Sequence, residues 1–253
     1  MTPASVGFQC PECVREGRAG VRAPRGPGVR GLSRQWGPVT LVLIAVNVAM
    51  FVVTAVAATL AGNSPLNNYQ SDLWQRLAQV PLLVELGDWW RVVTAAFEHV
   101  GIVHLALNML ALLVFGSELE RALGRWRFLG VYLVSILGGA AAIQLLGNPV
   151  QPVAGASTGI YGLLGALAVL LVAGKQSLQG IVTLLVLNIV ISVVVPGISI
   201  LGHLGGLVAG AAAAGAVVLA RGRPPWQVAG LAGLGVVLLV VALTVPVGAV
   251  IAY

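Results

Sequence analysis

Seven long apolar stretches, separated by short polar or basic connections, account for most of the chain. They run over roughly 38–61, 100–117, 127–147, 155–173, 178–196, 200–220 and 226–251. Each approaches the ~20 residues that carry a helix across a bilayer core. The pattern therefore predicts an all-α polytopic membrane protein with seven spanning helices. The second stretch is short and reaches a full span only by extending into Glu118–Leu123. Between the first and second lies a mixed segment, 62–99, too polar to span. Its Leu73, Trp74, Leu77, Trp89 and Trp90 suit an amphipathic piece lying in the outer leaflet, where Trp is favoured. Residues 1–37 are polar, with six Arg and several Pro and Gly, and read as a loosely folded tail.

Composition agrees with that pattern. The chain has 253 residues, 58% hydrophobic and 9% charged, and no Asp or Glu follows Glu120. A soluble core cannot absorb so much continuous apolar sequence. A formal charge of +6 raises a nucleic-acid partner. The basic residues sit at the ends of apolar runs, however, which is a topology signal, so no nucleic acid is expected. If there are seven spans, twelve of the fourteen basic residues fall on one side, and only Arg76 and Arg91 on the other. Basic loops stay cytoplasmic, so the N-terminus is expected inside the plasma membrane and Tyr253 outside. No cleavable signal-peptide pattern opens the chain, whose first apolar run is long enough to span. Arg-rich, Ala/Gly/Val-rich usage suggests a GC-rich genome.

The polar residues inside the apolar runs cluster by depth. His104 and Asn108 lie near the outer end of the second stretch, Ser157 near that of the fourth, and His203 near that of the sixth. Polar groups at such depth are functional candidates. The fourth stretch carries Gly155-x-x-x-Gly159 and Gly162-x-x-Gly165, and the sixth Gly202-x-x-x-Gly206-x-x-x-Gly210. Small residues at four-residue spacing let helices approach closely, so these two should pair and bring Ser157 toward His203.

A serine beside a neutral histidine is a nucleophile with its general base. No carboxylate is available in the last five stretches, so the pair reads as a dyad rather than a Ser-His-Asp triad. His104 and Asn108, one turn apart, share a helix face. With the backbone N–H of Ser157 they could stabilise an oxyanion. Tyr161, one turn after Ser157, points the same way and serves either as packing or as a wall of the site. Gly155-Ala156-Ser157-Thr158-Gly159 fits the hydrolase nucleophile elbow, but that elbow needs a preceding strand. His99 and His104 are five apart, off a common helix face, which argues against zinc catalysis. In the tail, Cys10-x-x-Cys13 supplies two of the four ligands of a structural zinc. It reads as half of a site that another chain completes, or as a remnant.

Together these residues resemble the rhomboid intramembrane serine proteases over roughly residues 36–220. The matching pieces are Trp90-Arg91, His99, His104-x-x-x-Asn108 and Gly116-x-x-x-Glu120-x-x-x-Gly124. Gly155-x-Ser157, Tyr161 and Gly202-His203-Leu204-Gly205-Gly206 follow. The resemblance implies a six-helix core over 38–220, after the 1–37 tail, and a peripheral seventh helix in 221–253. It implies cleavage of transmembrane protein substrates in the lipid bilayer by Ser157 as nucleophile and His203 as base, with no cofactor for catalysis. His104 and Asn108 then stabilise the oxyanion, Tyr161 stacks near His203, and His99 and Gly155 support the site from behind.

Two features depart from the family pattern. Thr158 stands where a second glycine usually follows the serine, which leaves the local oxyanion backbone open. Cys10-x-x-Cys13 looks like the last part of a Cys/His-rich zinc segment found before some actinobacterial members. On that reading Met1 is not the natural start.

Overall fold

The computed structural model describes residues 2–3, 8–9, 12, 35–194 and 198–247. Residues 1–35 form a unit of their own. Within it Thr2–Pro3 and Phe8–Gln9 pair as a two-residue antiparallel ladder, so part of the expected loose tail has local order. Cys10 and Cys13 lie outside the described residues, as does most of that tail.

The second unit is built on seven apolar helices. They are Pro38–Leu60, Gly101–Leu123, Arg125–Leu146, Ser157–Ala173, Gln179–Val194, Ile200–Leu219 and Pro224–Thr244. Five have 20 to 23 residues and are apolar enough to cross a membrane. The second does run on through Glu118–Leu123, by way of a π-helical stretch over Leu112–Gly116. The fourth has only 17 residues against 23 in the first. At about 1.5 Å per residue it is about 9 Å shorter. Its first residue, Ser157, can therefore lie below the surface on the face that carries the 62–99 loop.

Helix starts and stops follow backbone chemistry. The first helix opens with Pro38 after Gly37 (φ 78°), and its exposed N–H groups need acceptors. Glu120, only 4% exposed at the end of the second helix, supplies them. Its carboxylate accepts from Val39 N (3.1 Å), Thr40 N (2.8 Å) and Thr40 Oγ1 (2.9 Å). A buried charge is tolerable here because it caps a helix N-terminus and is multiply hydrogen-bonded. Gly116, one turn earlier, sits close against Thr40: a Cβ there would lie 3.0 Å from Thr40 Cγ2, a tight contact.

The expected pairing of the fourth and sixth helices is present, and closer than side chains permit. A Cβ on Gly206 would lie 2.1 Å from Thr158 O, and one on Gly210 2.1 Å from Gly162 O. Gly165 meets Leu207 O in the same way, at 2.2 Å. Other glycines of the two stripes face a third partner. Gly159 packs on Tyr132, and Gly205 on Gly138 and Ala142, all of the third helix. Gly138 and Gly139 make that helix a full member of the packed group, because a sixth helix this slim is wedged between two neighbours rather than set against one.

The 62–99 loop is not a single amphipathic piece. It folds as short helical turns over Pro65–Gln70, Asp72–Leu77, Pro81–Glu85, Arg91–Thr94 and Ala95–Phe97. Such turns leave many carbonyls unpaired, and Arg91 gathers them. Its guanidinium donates to Gln75 O (2.6 Å) and Ala78 O (2.7 Å) and pairs with Asp88 at 2.8 Å. Gln79 bridges to Val153 and donates to Ala140 O, tying the loop to the third helix and to the segment before Ser157. Trp89 and Trp90 are exposed as an interface demands, whereas Trp74 is 3% exposed and belongs to the core.

The seventh helix faces outward over most of its length, yet both ends are fixed. At one end Gln227 accepts from Arg127 Nε (2.7 Å) and donates to Val217 O (2.9 Å). At the other, Ala242 is fully buried with Val84, Val92, Ala140 and Ala141, so the helix also packs on the loop.

Two predictions follow from this packing. Gly206→Ala should destabilise the protein by about 1–3 kcal/mol by overpacking. Gly233→Ala, where a Cβ meets nothing within 4 Å, should be neutral or stabilising by up to about 1 kcal/mol. Unfolding in detergent micelles checks the pair, and equal effects would contradict the backbone contact. The second concerns Glu98, fully buried, with neither carboxyl oxygen hydrogen-bonded among the described residues. Burial pushes its pKa from the usual 4.5 up to about 8. The folded chain holds this proton up to about pH 8 while the unfolded chain releases it above 4.5. Stability therefore falls as pH rises through that window. Glu98→Gln should raise the melting temperature at pH 8 and leave it unchanged at pH 4.5. A gap independent of pH would contradict the buried neutral carboxyl.

Candidate active site

Ser157 is the first residue of the fourth helix, so its backbone N–H has no intrahelical acceptor. The approach is fixed by Gly155, whose φ of 145° is closed to most side chains and whose N–H donates to Ala95 O of the loop (2.9 Å). A Cβ at Gly155 would lie 3.1 Å from His104 Nε2 and 3.3 Å from Ser157 Oγ. The imidazole edge and the hydroxyl thus flank the same bare Cα.

His203 lies in the first turn of the sixth helix, which Ser199 caps by accepting from Gly202 N (3.1 Å). Its Nε2 is 2.9 Å from Ser157 Oγ. The Tyr161 ring stacks on His203 with centroids 4.0 Å apart and planes at 12°. Tyr161 is thus a wall of the site and not mere helix packing.

His104 and Asn108 occupy one face of the second helix. Val100 N–H donates to His104 Nδ1 at 3.2 Å. In the neutral ring the proton is then on Nε2, the nitrogen directed toward Gly155 and Ser157. Asn108 Nδ2 donates one proton to His104 O (2.8 Å) and keeps a second. His99 sits behind this pair. His99 and His104 are off a common helix face, as expected, yet their rings meet edge to face at 5.2 Å. His99 precedes the helix, so helical spacing does not govern it. Burial, and then the neighbouring His104, lower its pKa to about 3, so it is a neutral ring. Its Nε2 pairs with Asn47 Oδ1 (3.0 Å). Asn68 holds its carbonyl at 2.8 Å and also accepts from Gly101 N.

Ser157, His203, Tyr161, His104 and Asn108 line a cavity of about 750 Å³ that also reaches Trp74, Gln79 and Ser199. Thr158 faces it with its Oγ1 unpaired among the described residues. Room for its methyl comes from glycines on both sides: Cγ2 would lie 2.8 Å from a Cβ on Gly139 and 3.1 Å from one on Gly202. The methyl of Thr158 is thus accommodated between neighbouring helices. Among the described residues no group of three or more His, Cys, Asp or Glu is arranged to hold a metal ion.

Sequence reasoning missed three residues here. Asn47 is a lone amide in an apolar helix, and Asn68 a loop residue without a motif, so little marked them. Ser192 lies 3.1 Å from His203 Nδ1. Its signal was the Asn188-x-x-x-Ser192 spacing, which puts two polar groups on one face of the fifth helix.

A hydroxyl against an imidazole, with two side-chain N–H donors and a helix N-terminus around the same point, is equipped for acyl transfer. Known proteins carry similar sequence. The Rhomboid domain matches residues 86–220. Over 144 residues the chain is 37% identical to Rhomboid protease GluP of Bacillus subtilis, covering 55% of this chain and 28% of that protein. It is 38% identical over 101 residues to Rhomboid protease AarA of Providencia stuartii, covering 40% and 34%. With RHOMBOID-like protein 4 of Arabidopsis thaliana it shares 30% identity over 214 residues, covering 74% and 54%. The alignments thus span less than two thirds of each of these relatives. The domain match takes in more than half of this chain and the polar site residues from His104 to His203, and the protein belongs to the rhomboid family.

Proposed function

We propose that the protein is an intramembrane serine endopeptidase that cleaves transmembrane protein substrates near one leaflet. The observation that carries this reading is the 2.9 Å approach of His203 Nε2 to Ser157 Oγ beside the Nε2 edge of His104.

The chemistry follows from the donors. As Ser157 Oγ attacks a substrate carbonyl carbon, its proton passes to His203 Nε2. The carbonyl oxygen gains the charge and is met by His104 Nε2–H, the free proton of Asn108 Nδ2 and the N–H of Ser157. Collapse breaks the C–N bond while His203 returns the proton to the leaving amine. Water then releases the acyl-enzyme by the same steps in reverse. The substrate must expose a carbonyl, so its helix has to unwind locally. Small or helix-breaking residues near the cleavage site favour this. The distribution of Arg and Lys supports a cytoplasmic N-terminus in a plasma membrane, which puts the site in the outer leaflet.

Purified protein should cleave a single-span reporter substrate. Ser157→Ala and His203→Ala should each lower kcat by at least about 10³-fold. His104→Ala or Asn108→Ala should lower it by roughly 10²-fold with little change in KM. Folded wild type that does not cleave would favour a rhomboid that only binds transmembrane clients. Variants as active as wild type would refute the dyad.

A further inference from the structure

We infer that Ser192 of the fifth helix is a positioning residue that orients the base by accepting a hydrogen bond from His203 Nδ1–H. This deepens the proposed function and rests on it for the role of His203.

The hydrogen-bonding capacity of the hydroxyl argues for the direction of that bond. Ser192 Oγ lies 3.1 Å from His203 Nδ1 and is buried at 7% exposure. A serine hydroxyl has one proton and two lone pairs. The proton goes to Asn188 O, four residues back, at 2.8 Å, as is common for serine inside a helix. Ser192 therefore meets the imidazole as an acceptor, and Nδ1 must carry the ring proton. Tyr161 OH, 3.5 Å away, is within reach of the second lone pair. One donated and two accepted bonds fill the capacity of the hydroxyl.

The consequence lies at the other ring nitrogen. A neutral imidazole protonated on Nδ1 has a bare Nε2, and Nε2 is the atom 2.9 Å from Ser157 Oγ. With the opposite tautomer Nε2 would be a donor and could not take the serine proton. In a Ser-His-Asp triad a carboxylate fixes this tautomer. Here a hydroxyl dipole does so, in a part of the chain that has no Asp or Glu. A neutral acceptor costs less to bury in lipid than a charge.

Ser192 is also carried by a sparsely packed helix. Of the described residues in Gln179–Val194, Ile181 and Ser192 alone are buried. The contact with His203 is therefore one of few that seat this helix on the site.

Full-length protein in detergent or lipid vesicles tests this with Ser192→Ala and Ser192→Thr. Ser192→Ala should lower kcat by about 10-fold, the weight of one hydrogen bond, with KM within about twofold. Ser192→Thr keeps the hydroxyl and should restore kcat to within about threefold. Nitrogen NMR of labelled histidine should find His203 protonated on Nδ1 in wild type and a mixture of tautomers in Ser192→Ala. That measurement needs no substrate, so it separates failure of this inference from failure of the protease reading. Unchanged kcat in Ser192→Ala, equal losses in both variants, or a wild-type His203 protonated on Nε2 would each overturn it.

Discussion

The close crossing of the fourth and sixth helices governs this structure. Gly206 lies against the carbonyl of Thr158, and Gly210 against that of Gly162, at distances that leave no space for a methyl group. His203 precedes Gly206 by less than one turn, and Ser157 immediately precedes Thr158. The contact that fixes the backbones therefore also sets the register of the two side chains. Between helices in lipid there is little hydrophobic driving force, and close van der Waals packing of small residues takes its place. The polar pair sits at the end of that packed seam, where the short fourth helix begins.

The remaining polar groups pair with irregular backbone, whose unpaired N–H and C=O groups are costly to bury. Arg91 collects carbonyls of the loop, Gln79 and Gln144 reach carbonyls across elements, and Glu120 caps the first helix. Asn68 holds the link between the loop and the second helix, directly behind His104. The seventh helix adds Ala242 to the loop's packing, so it is less peripheral than its outward face suggests.

Much of this was legible in the sequence because membrane helices write long, clean signals. The seven apolar runs and the glycine stripes could be read directly, and from them the meeting of Ser157 with His203. The sequence did not tell which neighbour each glycine faces. Gly159 and Gly205 turn to the third helix, since a spacing of four marks a face but not its partner. The contact of His99 with His104 was hidden because His99 lies outside the helix, where periodicity carries no information. Ser192 was passed over because a serine in an apolar helix usually satisfies itself on its own backbone. It does so here, and its lone pairs still serve His203. Asn68 and Trp74 depend on how a loop folds back on itself, which no local pattern encodes.

The central claim is that Ser157 is a nucleophile activated by His203. Covalent labelling with a fluorophosphonate, read by mass spectrometry of the full-length protein in lipid, tests it most directly. A single adduct on Ser157 is expected in wild type, and its loss in His203→Ala. An unlabelled wild type, or labelling that persists unchanged without His203, would contradict it.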